Sequence, residues 1–153
     1  MSAYTILKFV HVVLAIVAVG ANITYGVWLS RAGREPGHLA FALRGIKVLD
    51  DRFANPAYLL LLITGLAMVR FGKLPLTTPW LLVSLILYIV MVGVGFLGYT
   101  PLLRKQITVL EASGPTSSEF QALSARGQRL GIMLAVLVIA IVFLMTTKPA
   151  LWT

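Results

Sequence analysis

Four stretches of this chain are almost continuously apolar and about as long as a helix must be to cross hydrocarbon: residues 5–29, 53–70, 79–103 and 128–147. A bilayer core is about 30 Å thick and a helix rises about 1.5 Å per residue, so roughly 20 residues span it. None of the four stretches carries Asp or Glu, and their arginines fall only at the edges. In hydrocarbon every main-chain N–H and C=O must be paired inside the protein, and a helix does this within its own segment. Membrane strands would alternate apolar and polar residues, which these stretches do not. The expected fold class is therefore all-α: a polytopic membrane protein with a single domain over residues 1–153, an antiparallel bundle of four transmembrane helices. Composition agrees, because only 12% of the residues are charged, against about a quarter in a soluble domain. The run from Phe9 to Leu29 exceeds the apolar region of about 7–15 residues in a cleavable signal peptide, so it is expected to stay as a helix.

The connections set orientation. Residues 31–52 are polar and basic, punctuated by Pro36 and Gly37. After them Leu39, Phe41, Ala42, Leu43, Ile46 and Leu49 recur at rough helical spacing, which predicts a short interfacial helix in the first cytoplasmic loop, leading into the second span. Asn55-Pro56 marks a bend or a helix start. The third helix is expected to run past Arg104 and Lys105 to about Ala112, where Ser113-Gly114-Pro115 stops it. Thr116 and Glu119 have capping-box spacing for the fourth helix. Arg31, Arg34, Arg44, Lys47 and Arg52 lie between spans one and two, and Arg104, Lys105, Arg126 and Arg129 between spans three and four. Lys8, Arg70, Lys73 and Lys148 are all that remain for the other side. The positive-inside rule then puts the two larger connections in the cytoplasm and both termini outside, in the periplasm if the membrane is a bacterial plasma (inner) membrane. Trp80 and Trp152 would sit in an outer aromatic belt, Trp28 and Tyr99 in an inner one.

The net charge of +8 is explained by this loop placement and by attraction to anionic lipid, so no nucleic-acid partner is expected. With no cysteine, disulfides, thiolate metal sites, iron–sulfur clusters and cysteine nucleophiles are excluded within the chain. No soluble catalytic site and no protein metal-ligand cluster is visible. The five acids, Glu35, Asp50, Asp51, Glu111 and Glu119, are all expected in cytoplasmic segments.

His11 is the most informative side chain. Lys8, His11, Ala15, Ala18, Asn22 and Tyr25 share one face of the first helix. Polar groups facing lipid are costly, so this face is expected to look into the bundle. His11 could ligate haem iron or a metal, or carry a proton; it could equally make an interhelical hydrogen bond that fixes packing. His38 is expected as a solvated loop residue, far from His11, so a bis-histidine haem within one chain is not expected and haem b would need another second ligand. Lys8, Arg70, Lys73 and Lys148, with His11, could frame an anion site for haem propionates, a quinone head group or lipid phosphate; alternatively each cation reaches the interface independently. Asn22 is counted with Lys8, Arg70 and Lys148 among the candidate contacts. Asn22 and Thr64 are also expected to find backbone or a neighbouring helix as partner. Gly93, Gly95 and Gly98 match the dinucleotide fingerprint by letters, but they lie in an apolar helix with no strand before them, and are expected as close helix–helix contact points.

Four places carry a family resemblance: Lys8-Phe9-Val10-His11 opening the first span; Asn55-Pro56 through Thr64-Gly65 in the second; Thr100-Pro101-Leu102-Leu103-Arg104 ending the third; and Met145-Thr146-Thr147-Lys148-Pro149 closing the fourth. In these the chain resembles a bacterial domain-of-unknown-function family of four-helix integral membrane proteins, distantly similar to copper-resistance D and HemJ-type membrane proteins. The resemblance implies a haem-linked role in which His11 corresponds to a key first-span histidine and Lys148 to a terminal Lys-Pro. This chain lacks the other intramembrane polar residues of the HemJ-type pattern, and one histidine with scattered methionines makes no copper site. Three readings follow: a structural or accessory subunit of a larger membrane complex or a homo-oligomer, contacting lipid bilayer; a b-type haem or porphyrin-linked redox protein using His11; and a small-solute or metal transporter.

Overall fold

Nearly the whole chain is taken up by α1, Ala3–Ala32; α2, Leu39–Phe71; α3, Pro79–Ser113; and α4, Ser118–Thr147. The computed structural model describes residues 2–151, apart from the side chain of Pro36. The expected place of Trp152 lies outside the described residues. All four helices are long and apolar enough to cross a membrane, and no strand occurs among the described residues.

The helix ends follow from local chemistry. The Ser2 hydroxyl accepts the Thr5 N–H and caps α1, satisfying one of the donors a helix start leaves orphaned. Pro79 opens α3, where its missing N–H costs nothing. Gly114, at φ 77°, ends α3, as glycine readily does past a helix C-terminus. The cap of α4 is Ser117, accepting from Phe120 N–H, one residue later than the Thr116 start expected from capping-box spacing. Glu119 therefore does not close a box; its carboxylate meets Lys105 at 3.2 Å.

Two of the helices widen locally. α2 opens into a π turn at Asp50–Ala54 and α3 at Gly95–Tyr99. In each case the residue before a proline donates its N–H to the carbonyl five residues back: Asn55 to Asp50, and Thr100 to Gly95. Pro56 and Pro101 follow. A proline inside a helix has no N–H to give and its ring collides with the carbonyl four residues back. A wider turn relieves that collision while keeping the helix continuous. The helix expected over residues 39–49 is present, but it is not a separate interfacial element. It passes through the π turn directly into the second span. The third helix likewise continues to Ser113, as its sequence suggests.

Consecutive helices run antiparallel. Between α1 and α2 the pairings are Tyr4 with Gly72, His11 with Thr64, and Asn22 with Tyr58, one number rising as the other falls. Between α2 and α3 they are Arg44 with Glu111, Asp50 with Thr100, and Tyr58 with Tyr88. Between α3 and α4 they are Lys105 with Glu119, Gln106 beside Gly127, Gly98 beside Leu130, and Trp80 with Lys148.

The main core lies toward the basic connections. Leu43, Ile46 and Ala54 of α2 meet Tyr99, Leu103 and Leu110 of α3, Ala21 and Tyr25 of α1, and Phe120 of α4. Ile46 is completely buried. Toward the termini a smaller cluster of Ala18, Ala57 and Leu61 joins α1 to α2. Beyond these clusters long apolar side chains point outward, among them Phe9, Ile16, Ile23, Leu59, Ile63, Ile89 and Ile139. Each would cost about 1.5–3 kcal/mol facing water rather than an apolar medium. Their density around four span-length helices identifies a multi-pass integral membrane protein. Phe41, in the apolar set of residues 39–49, is exposed and packs against Trp28 at 5.9 Å. One expectation changes here. Tyr99, expected in an aromatic belt, is buried in the core, because the π turn carries it inward.

Candidate functional site

Polar side chains inside the bundle form three groups along the seam of α1, α2 and α3. The first is at His11. Its Nδ1 lies 2.7 Å from the Thr64 hydroxyl oxygen. Thr64 donates its own proton to the Leu60 carbonyl, 2.8 Å away, so the hydroxyl accepts and Nδ1 carries the hydrogen. This assignment leaves Nε2 as the unprotonated nitrogen. Gly65 makes the approach possible: a Cβ there would stand 3.2 Å from the His11 ring carbon.

About three turns further along α1, Asn22 donates its amide to the Tyr58 hydroxyl, and Tyr88 of α3 donates to the Tyr58 carbonyl. The first bond ties α1 to α2 and the second ties α2 to α3. On their outer side Tyr58, Tyr88, Asn55, Pro56, Leu59 and Phe96 line an open, mostly apolar groove of about 550 Å³.

The third group was not anticipated. Asp50 is only 5% exposed, although all five acids are expected in cytoplasmic segments. Its Oδ2 accepts from the Thr100 hydroxyl at 2.9 Å and from the Asn55 amide at 3.3 Å. Both donors come from the positions just before Pro56 and Pro101, so the two π turns meet at this carboxylate. Tyr25 and Tyr99 stack beside it with centroids 6.3 Å apart and planes within 2°. The Tyr25 hydroxyl is buried with no hydrogen-bond partner among the described residues. Neighbouring Asp51 has a cation, Lys47 at i−4 on the same helix. Among the described residues no Lys or Arg pairs with Asp50.

The expected polar stripe on α1 is largely correct. His11, Ala15 and Asn22 are half-buried, and Ala18 and Tyr25 are buried. Asn22 and Thr64 both find the partners expected of them, on a neighbouring helix or on backbone. Lys8 is exposed, as are Arg70, Lys73 and Lys148. The structure does not draw these cations onto His11. Lys148 rests 5.4 Å over the Trp80 ring, a cation–π contact. His38 is exposed and lies 3.0 Å from Glu35, far along the chain from His11. The expected close contacts at Gly93 and Gly95 are absent, since nothing stands within 4 Å of a Cβ added at either. Only Gly98 has a neighbouring helix there, with Leu130 at 3.7 Å.

Asp50 was hidden because its sequence neighbours are charged and punctuated like a loop. The signal that could have found it is the repeated pair of a polar residue before proline, Asn55-Pro56 and Thr100-Pro101, inside otherwise apolar helices.

The family model described as "Predicted integral membrane protein (DUF2269)" matches residues 5–149, and the chain belongs to that family. No curated protein and no solved structure matches it.

Proposed function

We propose that this family member is a non-catalytic accessory subunit of a larger membrane assembly, with other membrane helices as its partners. The observation that carries this reading is a division of labour among its residues. The membrane-depth polar groups His11, Thr64, Asn22, Tyr58 and Tyr88 are spent on one another, holding the chain's own helices together. The glycines Gly20, Gly26, Gly93, Gly95 and Gly131 are not used for internal close approach, because nothing lies within 4 Å of a Cβ built at any of them. Small residues let helix backbones approach closely in lipid, where the hydrophobic effect does not drive association. Glycines left open on the outer faces are therefore surfaces for a second chain.

The test is the mass of the assembly extracted in native-lipid particles, compared for wild type and for Gly20→Leu and Gly93→Leu. Loss of a stoichiometric partner or of a second copy, with the thermal melt unchanged, is the expected outcome. A wild-type chain that is always a lone monomer would overturn the reading.

One observation favours a second reading, haem b ligation at His11. The Thr64 hydroxyl fixes the ring with Nε2 unprotonated, the tautomer that binds iron, and such an orienting bond is typical of histidine ligands. Lys8, one turn before His11, and Arg70 and Lys148 near the same end would be the propionate contacts. The second axial position would have to come from Met68, Met145 or another chain, since His38 lies elsewhere. The purified protein's visible spectrum decides: a Soret band lost in His11→Ala supports haem, and a colourless wild type rejects it.

A further inference from the structure

We propose that Asp50 is the charged ligand of a buried site for a small monovalent cation, set where the two π turns meet. A carboxylate taken out of water costs several kcal/mol unless it is paired, so a buried acid neutralises itself by binding a proton or another cation. Asp50 is nine-tenths buried and has no Lys or Arg partner among the described residues. Two neutral donors, Thr100 and Asn55, reach one of its oxygens. They offset part of that cost and supply no charge.

A second, independent observation is the Tyr25 hydroxyl. Tyr25 is 5% exposed and its oxygen has no partner among the described residues, although Tyr25 stacks on Tyr99 in the buried cluster that also holds Ala54 of the Asp50–Ala54 turn. A buried hydroxyl with nothing to bond costs about 1–3 kcal/mol. A cation beside Asp50 gives that oxygen something to coordinate; a proton on Asp50 gives it something to accept.

The polar groups gathered here suit a hard, singly charged ion. One carboxylate, the Thr100 and Tyr25 hydroxyls and the Asn55 amide, whose Nδ2 donates to Asp50, are present, with no histidine, cysteine or methionine among them. Pro56 and Pro101 each deprive a main-chain carbonyl of its intrahelical donor, and interrupted membrane helices use such carbonyls and helix breaks to hold sodium ions or protons. π turns are concentrated at functional positions in helices generally. Asn55 both touches Asp50 and lines the groove of Tyr58, Tyr88 and Phe96. The other charged groups near Asp50 are Asp51 and Lys47 on its own helix, which are bonded to each other.

The experiment is thermal unfolding of the purified full-length chain in lipid nanodiscs. Sodium chloride is exchanged against choline chloride at constant ionic strength, and pH is varied separately. For a sodium site the melting temperature of wild type rises saturably with sodium, and Asp50→Asn removes the response. For a proton site sodium has no effect, and a single-proton step in stability against pH disappears in Asp50→Asn. Identical sodium and pH responses in wild type and Asp50→Asn overturn the proposal. If Asp50→Asn does not fold, Tyr25→Phe and Thr100→Val take its place. A severalfold change in half-saturating sodium, or a displaced pH step, in either variant supports the site; unchanged responses in both overturn it.

Discussion

Thr64 shows how much one side chain can hold in this molecule. Its hydroxyl gives its proton to the Leu60 carbonyl of its own helix and receives the Nδ1 hydrogen of His11 from the next. Removing the hydroxyl without changing the shape deletes both bonds, of which only the one to His11 joins two helices. Thr64→Val is expected to destabilise the α1–α2 pair by about 0.6 kcal/mol and at most about 1.7 kcal/mol, the range seen for hydrogen bonds between membrane helices. Unfolding in mixed micelles would measure it, and no loss of stability would mean that the imidazole finds another partner at no cost. That His11 faces inward was legible in sequence, because a polar group on a span has few other places to be. That Asp50 faces inward was not. In sequence it stands beside Asp51 and Arg52 after a basic stretch, and only the turn geometry separates the buried acid from the exposed one.

At the scale of elements, the helices were readable and their irregularities were only half so. Asn55-Pro56 announces a bend, but Pro56 neither starts a helix nor breaks one. α2 absorbs it by widening over Asp50–Ala54. If the proline causes the wide turn, Pro56→Ala should let a regular helix form. Dropping one residue from the turn rotates the two halves of α2 by roughly 100°, the angle between successive residues at 3.6 per turn. The larger core at Leu43 and Ile46 would keep its half in place, so Ala57 should swing away from Ala18, its neighbour in the smaller cluster. The chain has no native cysteine, so Ala18→Cys with Ala57→Cys gives a clean pair for disulfide cross-linking by iodine, a small apolar oxidant that can enter the bundle. Cross-linking should fall severalfold when Pro56→Ala is added. Undiminished cross-linking would show that the wide turn persists without its proline. The cap of α4 teaches a smaller lesson of the same kind. Thr116, Ser117 and Ser118 are all able to cap, and the pairing of Glu119 with Lys105 on α3 accompanies the choice of Ser117.

For the whole molecule, lipid as the solvent explains the sequence and the structure together. Apolar side chains cover the outside, while the larger buried cluster lies near the basic connections, where ion pairs such as Arg44 with Glu111 at 2.6 Å appear. That pair is exposed on both sides and is expected to add only about 0–1 kcal/mol. Its position matters more than its strength, since it marks the end of the bundle that carries the charge. The same asymmetry predicts an orientation. A reporter that is active only outside the cytoplasm, fused after Thr153, is expected to be active, and one inserted at Gly37 inactive. The reverse pattern would mean that the excess of Lys and Arg on residues 31–52 and 104–129 does not set the topology. By itself the sequence determined four membrane helices, their approximate limits and the inward face of α1, because hydrocarbon imposes length, apolarity and backbone pairing on each segment separately. Which helices pair, which glycines are left open and where Asp50 lies were decided only by the tertiary structure. Those features depend on how far the two π turns rotate their helices, and on two segments about 50 residues apart meeting at one carboxylate.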